Sequence, residues 1–442
     1  MNAELTTIKT AAESALATTF AEVRNRLPGD KAVSAQRAAA FDVFAKQGLP
    51  HRRIEDWKYT DLRALMREAK PLASPPDAAT KARAKAAGAM LGDVEARRLT
   101  FVDGAFVPDL SDLRGLEGGL SIGSLADALA EGDPAVLGHL GKIAPAGDVA
   151  VALNTALMGD GAVIRIADGA TIERPLHLCF VASEKPAATF VRSLVVAAPG
   201  TRAMLIESHE GPSRSDYQVN AALELFVGQR AHIDHVKIIG EGAEALHVST
   251  LAAAIAAQAR FNTFTFTTGG AVVRNQMFLN FDGEDTVAGI RGATLLGGRQ
   301  HADTTLLVNH IARACQSREV FKSVLGGEAH GVFQGRIVVR RGAQKTDAKM
   351  MTQALLLSER AEADNKPELE IYADDVQCGH GATAGALDDE LKFYLMARGI
   401  PAAEAEALLI QAFLGEAIEG IEHAGLREAL MDSVAAWLKA RK

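Results

Sequence analysis

The feature that most constrains the fold is a series of short β-rich segments that recur about every 29 residues between residues 150 and 377. Few stretches of this region have a helical period. The turns that precede successive segments fall at Gly169, Gly200, Gly228, Ala257, Gly283, Ala314 and Gly342. Their spacings are therefore 31, 28, 29, 26, 31 and 28 residues. Strands at such a period, without crossover helices, predict a mainly β fold built on a right-handed parallel β-helix. A β-sandwich is the alternative, because the region could also hold two Greek-key sheets.

The regions on either side of the repeat have a different texture. Residues 1–27 place apolar side chains at helical spacing, and a second helix is predicted over Ser34–Gln47. Asp103-Gly104 predicts a hairpin within Leu99–Val107, whereas residues 71–99 are interpreted as a linker or surface excursion. The apolar side chains at helical spacing within residues 1–27 are Leu5, Ile8, Ala12, Leu16 and Phe20.

Three apolar stripes of helical period follow Gly385. We therefore predict three units: a mixed α/β domain over 1–145, a β-helix over 146–385 and a helical subdomain over 386–442. The stripes are Leu387, Leu391, Tyr394 and Leu395; Ala405, Leu408, Leu409, Ala412 and Phe413; and Leu426, Leu430, Val434, Trp437 and Leu438.

Composition excludes several classes of function. The 442 residues carry a net charge of −8, which is the wrong sign for a chain built to bind nucleic acid. Three dispersed cysteines are too few for a disulfide framework and suit a reducing compartment, so we expect a cytoplasmic protein. No apolar run approaches the roughly 18 residues of a membrane span, and no secretory leader is evident.

Common catalytic motifs are missing from the sequence. The Gly141-Lys142 pair is followed by Ile143, where a P-loop needs a hydroxyl for magnesium. Neither H-E-x-x-H nor C-x-x-C occurs. We therefore expect no nucleotide hydrolysis and no self-contained zinc site of a common type.

One segment, residues 374–383, combines a thiol, an imidazole and two carboxylates where the β texture ends. In an extended strand Cys378 and His380 project from the same face, so that both could reach one metal ion. Two ligands do not close a tetrahedral site, so the other ligands would come from a partner at an interface. The competing interpretation is a glycine-rich turn in which Cys378 is a small core residue.

The other candidate groups have structural interpretations. Cys179 and Cys315 are predicted to be core residues. His301, His310 and His330 are interpreted as solenoid surface, and His232 and His235 would face opposite sides of a strand. A basic stretch is interpreted as a solvated face, and its members are Arg336, Arg340, Arg341, Lys345 and Lys349.

Four segments, in order along the chain, resemble the SufD branch of the SufB/SufD family of the SUF iron–sulfur cluster assembly system. The first is G-L-P-H-R-R-I-E-D-W-K-Y-T-D-L at 48–62. The others are F-V-D-G at 101–104 followed by Leu110-Ser111, the stretch 274–298, and residues 373–384. The resemblance covers essentially the whole chain.

The resemblance implies a non-catalytic scaffold that pairs with a SufB paralogue through β-helix ends and binds the ATPase SufC through C-terminal helices. It implies that His380, with Cys378 nearby, lies at the SufB interface and takes part in iron acquisition or nascent cluster assembly. A transient iron or iron–sulfur cluster would form there, and the isolated chain would hold no cofactor. The helices that would bind SufC carry Leu391, Tyr394, Leu395, Arg398, Gly399, Pro401, Leu408, Leu409 and Phe413.

Two further functions remain open. A β-helix enzyme acting on polysaccharide could use Asp282, Glu284, Asp285 and Arg291, although only two tryptophans are available to stack on sugars. A homodimer could form when the same β-helix end pairs with itself, which would bring two His380 residues near a two-fold axis.

Overall fold

The computed structural model describes residues 9–91 and 94–441. Its strands are β1 Arg97–Val102, β2 Ala105–Phe106, β3 Leu120–Ser124, β4 Ala162–Ile166, β5 Leu176–Val181, β6 Ala188–Ala197, β7 Arg202–Glu210, β8 Gln218–Val227, β9 His232–Gly240, β10 Leu246–Ile255, β11 Arg260–Thr267, β12 Val272–Phe281, β13 Val287–Leu296, β14 His301–His310, β15 Gln316–Leu325, β16 His330–Val339, β17 Asp347–Leu356, β18 Glu362–Ile371 and β19 Gln377–Gly385.

These strands form a parallel β-solenoid, as the period predicts. One sheet has the order β18-β16-β14-β12-β10-β8-β6-β4-β3 and the other β19-β17-β15-β13-β11-β9-β7-β5-β1-β2. Each coil gives one strand to each sheet, so the pairs from β4 with β5 to β18 with β19 make about eight coils. Parallel pairing at this repeat excludes the β-sandwich.

Along every strand, successive side chains point alternately into the coil and toward its outer surface. Inward residues stack in columns, because neighbouring strands pair without a shift in register. Leu251, for example, lies between Leu223 and Met277, and all three are buried in one core that extends through the coils. Each coil thus buries its apolar face against the next.

A left-handed residue recurs at one corner of successive coils. Five of these residues are not glycine, and their φ angles lie between 57° and 66°. Stacking stabilises this unfavourable backbone, since the N–H of each corner donates to a carbonyl of the next coil, as from Arg230 to Ala257 at 2.9 Å. The corners are Gly169, Gly200, Arg230, Gln258, Asp285, Ala314 and Lys345, at or within three residues of the predicted turns.

The N-terminal region contains α1 Ala11–Val23, α2 Lys31–Gln47, α3 Leu62–Leu65, α4 Ala78–Ala84, α5 Leu125–Glu131, α6 Pro134–Leu137 and α7 Val149–Leu157. Helix α1 buries Ala12, Leu16 and Phe20 as predicted, while Leu5 and Ile8 lie outside the described residues. Helix α2 begins three residues before the predicted start, because Asp30 caps it. The predicted hairpin is present, with Asp103 and Gly104 at positive φ.

The interpretation of residues 71–99 as a linker is wrong. Leu72 forms a parallel bridge with Ala188, and the segment continues through α4 to β1. Leu91 is buried in the same apolar cluster as the C-terminal helices. Alanine-rich stretches look like linkers in sequence, but small side chains also allow close packing against a sheet.

The segment at 48–62 anchors the N-terminal region to the solenoid. Trp57 is buried, and the Arg274 guanidinium lies 4.4 Å from the centre of its ring. Asp56 forms an ion pair with Arg336 at 2.9 Å. The charged members of this segment therefore have a structural role in holding two parts of the chain together.

The C-terminal helices are α8 Asp389–Met396, α9 Ala402–Ile418 and α10 Ala424–Ala440. Helices α9 and α10 pack on the outer face of the sheet that contains β13 and β15. The apolar stripe predicted for α10 is confirmed. The stripe predicted for α9 lies partly on the wrong face of the helix, because Leu408 and Ala412 are exposed. The buried face of α9 consists of Ala405, Ile410, Leu414, Ala417 and Ile418.

Within residues 9–91 and 94–441, no helix combines the length and apolar character needed to cross a bilayer.

Candidate functional site

The last coil of the solenoid ends in two edge strands. β18 and β19 each occupy the edge of a sheet, and among the described residues no further strand pairs with either. No residue of either strand is fully buried. Their outer backbone N–H and C=O groups are therefore available to pair with a strand of another chain. Such a free edge can cause aggregation or can serve as a binding site.

Cys378 and His380 lie on β19 at the inward-facing positions of this last coil. Their register partners on β17 are Ala348 and Met350, which are both buried in the solenoid core. Cys378 is half-buried and packs against that core, whereas His380 is exposed because no coil covers it. The structure thus places both side chains on one face, as the two-residue spacing predicts.

The two side chains line an open cavity of about 420 Å³. Glu319 also lines it, although this carboxylate is completely buried and both of its oxygens lack a hydrogen-bond partner. Burial raises the pKa of Glu319 to about 7. Burial likewise raises the pKa of the Cys378 thiol, and therefore favours its neutral form. Glu319 could not be predicted as a site residue, since this charged residue sits within an ordinary strand pattern.

Two of the five members of the basic stretch near this end form ion pairs. Arg336 contacts Asp56 and Glu368, Lys345 forms an ion pair with Asp375, and Arg340 and Arg341 lie near the corner that Lys345 occupies. The pairs are at least partly exposed, so each contributes little to stability. The interpretation of this stretch as a solvated face fits the structure better than an anion-binding site.

The predicted helical docking surface is exposed on α8 and at the start of α9. Phe393 has 71% of its surface exposed, more than Tyr394 at 54% or Leu391 at 51%. Arg398 stacks on Tyr394, with 3.4 Å between the guanidinium carbon and the ring centre. Gly399, Pro401 and Leu408 are exposed as well, while Leu395, Leu409 and Phe413 are half-buried. Phe393 and Met396 were missed, because they do not fall on the stripe used to predict the helix.

The histidines of the solenoid are less superficial than the sequence suggested. His310 is completely buried and contacts the Ser317 hydroxyl at 3.0 Å, so its assignment to the surface is wrong. His301 and His330 are half-buried and lie 3.1 Å apart through their Nδ1 atoms. Cys179 and Cys315 are buried, as predicted.

Comparison with known proteins decides the family. Residues 180–413 match the family model described as the SUF system FeS cluster assembly SufBD core domain, and residues 11–178 match the SufBD protein N-terminal region. The chain belongs to the SufBD family. It is 31% identical to the iron–sulfur cluster assembly protein SufD of Escherichia coli over 90% of this chain and 91% of that protein. A SufBD family protein of Synechocystis is also 31% identical, over 90% of each chain.

A more distant SufD, from Bacillus subtilis, is 26% identical over 64% of this chain and 65% of its own length. This SufBD family member is therefore a component of an iron–sulfur cluster assembly system. The family assignment leaves the polysaccharide-active alternative without support. Arg291 moreover lines a small cavity beside Gly420, and that cavity does not include Asp282, Glu284 or Asp285.

Proposed function

We propose that this chain is a non-catalytic, cytoplasmic scaffold subunit of the SufD type, which pairs with a SufB-type paralogue and binds a SufC-type ATPase. Each of the three predicted units would have its own role. Residues 1–145 would support the solenoid, residues 146–385 would carry the edge that pairs with the paralogue, and residues 386–442 would bind the ATPase. The observation that carries this proposal is the open coil end, where two free edge strands surround His380.

The paralogue would pair along β18 and β19. Main-chain hydrogen bonds from two edge strands supply affinity, and the side chains of the last coil supply specificity. A partner with a matching solenoid end would continue both sheets and cover the half-buried Cys378 and the exposed His380. This occupant follows from the family, whose members share the solenoid core.

Iron at this interface would be cargo. The His380 imidazole is a borderline ligand suited to ferrous iron, and the Cys378 thiol becomes a ligand once the metal displaces its proton to solvent. The partner would complete the coordination, because this chain offers two ligand side chains on β19. Sulfur would arrive through the paralogue, and the ATP cycle would open the interface.

The ATPase would dock on the exposed surface of α8 and the start of α9. Leu391, Phe393 and Tyr394 each expose more than half of their surface on α8, which the solenoid does not cover. Aromatic side chains with a flanking arginine are typical of the energetic centre of an interface. Arg398 beside Tyr394 has this arrangement.

The test of assembly is native mass spectrometry after co-expression with the SufB and SufC proteins of the same organism. We expect one copy each of this chain and SufB with two copies of SufC. A chain that stays alone with both partners present contradicts the proposal. A stable homodimer that persists in their presence would instead make the self-paired form the functional one.

The role of His380 is tested by measuring cluster assembly in the purified complex. We expect His380→Ala to slow assembly at least tenfold without dissociating the complex. The matched control is His139→Ala, because His139 lies in the N-terminal region and makes an edge-to-face contact with Phe226. An unchanged rate for His380→Ala would remove the imidazole from the mechanism.

A further inference from the structure

A second group of metal-ligating side chains lies inside the solenoid, far along the coils from the open end. His209 is the second-to-last residue of β7, Glu241 follows β9 directly, and His247 is the second residue of β10. One ligand atom from each lies within 4.8 Å of the other two. All three residues are buried, with His209 at 1% and His247 at 0% exposure.

The hydrogen bonds around this group fix which imidazole nitrogens are free. The Nε2 atom of His209 lies 2.5 Å from a Glu207 carboxylate oxygen, and Nδ1 of His247 lies 2.8 Å from Oε1 of Glu241. Because a carboxylate only accepts, these nitrogens carry the protons. The opposite atom of His209, Nδ1, is left with a lone pair, whereas His247 turns its protonated Nδ1 toward the Glu241 carboxylate.

Nδ1 of His209 is buried and without a hydrogen-bond partner. Buried polar atoms are nearly always paired in folded proteins, so an orphan nitrogen within this cluster needs an explanation. A metal ion is the partner that neutral imidazole nitrogens prefer. The contact between His209 and Glu207 is also the arrangement by which a carboxylate orients a metal-bound histidine.

The surroundings hold the three side chains in place. The ring of Phe180 stacks on His209, with centroids 4.7 Å apart and planes 7° apart. The Tyr217 hydroxyl donates to Oε2 of Glu241 at 2.6 Å and accepts from the Gly242 N–H at 2.7 Å. The ligands are therefore preorganised by stacking and by hydrogen bonds.

Space and access are present on the same side of the coil. His209 and Glu241 line a cavity of about 20 Å³, which is large enough for a single ion or water molecule. His209 also lines a larger cavity of about 360 Å³, which α4 and the residues after it cover from outside. Both cavities thus adjoin His209.

We propose that His209, Glu241 and His247 form a buried site for one divalent transition-metal ion, of the zinc or ferrous type. The ion would bind Nδ1 of His209 and would displace the proton on Nδ1 of His247 to solvent, so that this nitrogen and the Glu241 carboxylate bind the same ion. Two imidazole nitrogens and one carboxylate oxygen suit these ions, and three protein ligands leave a fourth position open. The site is independent of the interface at His380, and it lies within one chain.

The experiment uses the full chain with Cys378→Ala and His380→Ala, so that the open coil end cannot contribute ligands. The protein is unfolded, refolded with Co²⁺, which reports coordination through its visible absorption, and freed of excess metal. We expect one bound equivalent with a four-coordinate spectrum. Refolding in the presence of the metal removes any barrier to entry.

Glu241→Gln is the test variant, because it keeps the volume and the hydrogen bond from Tyr217. We expect it to reduce bound Co²⁺ from one equivalent to below one tenth, with an unchanged circular dichroism spectrum. His209→Gln is the second variant, in case the first fails to fold. His310→Asn is the control: it removes a buried imidazole whose Nδ1 also lacks a partner, and should keep the full equivalent.

No bound metal in the refolded background protein would overturn the proposal. Equal binding by the Glu241→Gln variant and the background protein would overturn it as well. Zn²⁺ gives a second readout, since it should raise the thermal midpoint of the background protein and leave that of Glu241→Gln unchanged. Loss of assembly with SufB and SufC would affect neither measurement.

Discussion

Met350 lies directly beneath His380, because the two residues are register partners on β17 and β19. Met350 is 2% exposed and belongs to the solenoid core, whereas His380 is exposed at the open end. A core side chain thus lies beneath the candidate site, and an exposed imidazole lies at its opening. Stability and function can therefore be separated by mutating one residue at a time.

Met350→Ala should destabilise the protein by about 2–4 kcal/mol, because it leaves a cavity in the last covered coil. Gly335 faces this side chain so closely that a Cβ atom there would lie 2.5 Å from the Met350 sulfur. His380→Ala, the matched change one strand away, should alter the free energy of unfolding by less than about 0.5 kcal/mol. Urea denaturation measures both; equal losses would contradict the placement of His380 at an uncovered end.

Phe393→Asp should weaken binding of the SufC-type ATPase at least tenfold, since it puts a charge at the most exposed aromatic residue of α8. The free energy of unfolding should stay within about 0.5 kcal/mol, because α8 buries none of its residues. Isothermal titration calorimetry with the purified ATPase measures the affinity. Leu116→Asp is the control, an exposed leucine in the N-terminal region; equal affinities for both variants would place the docking surface elsewhere.

The period of the solenoid could be predicted because it depends on the turns, which are visible as glycines or alanines at nearly regular spacing. Even so, corners such as Arg230 and Ala314 are not glycine and adopt left-handed backbone only in the stack of coils. Sequence therefore located the turns to within a few residues. The residue that takes the left-handed conformation depends on hydrogen bonds from the neighbouring coil.

The pairing of Cys378 with His380 on one face was also predictable, because alternation in a strand needs only the spacing. The inward position of Glu319 and His310 was not, since a strand pattern does not show which polar residues the coil encloses. The buried face of helix α9 was predicted incorrectly for a related reason. Alanine and leucine side chains lie on several faces of this helix, so that two overlapping apolar stripes were compatible with its sequence. Packing against the sheet determines that Ile410 and Leu414 are the buried residues.

A buried ion pair between two strands of the solenoid, which also accepts a hydrogen bond from the N-terminal region, should show strong coupling. Arg192 donates to Oε1 of Glu224 at 2.7 and 2.9 Å, and the Gly141 N–H donates to the same carboxylate. Arg192→Met or Glu224→Leu alone should cost about 3–5 kcal/mol, because each leaves one buried charge unpaired. The double variant should recover most of that loss in urea denaturation. Additive losses would show that the two charges do not compensate each other.

The buried His310 should make stability depend on pH. Burial lowers the pKa of His310 from 6.5 to about 4, so the unfolded chain binds the proton more tightly. Its contribution to stability is present above pH 6.5 and is lost as pH falls through this range toward 4, by up to about 3 kcal/mol. His310→Asn should therefore flatten the profile of unfolding free energy between these pH values, as measured in urea. His139→Asn, the half-buried control, should keep the wild-type slope, and an unchanged slope in His310→Asn would contradict the burial of a neutral imidazole there.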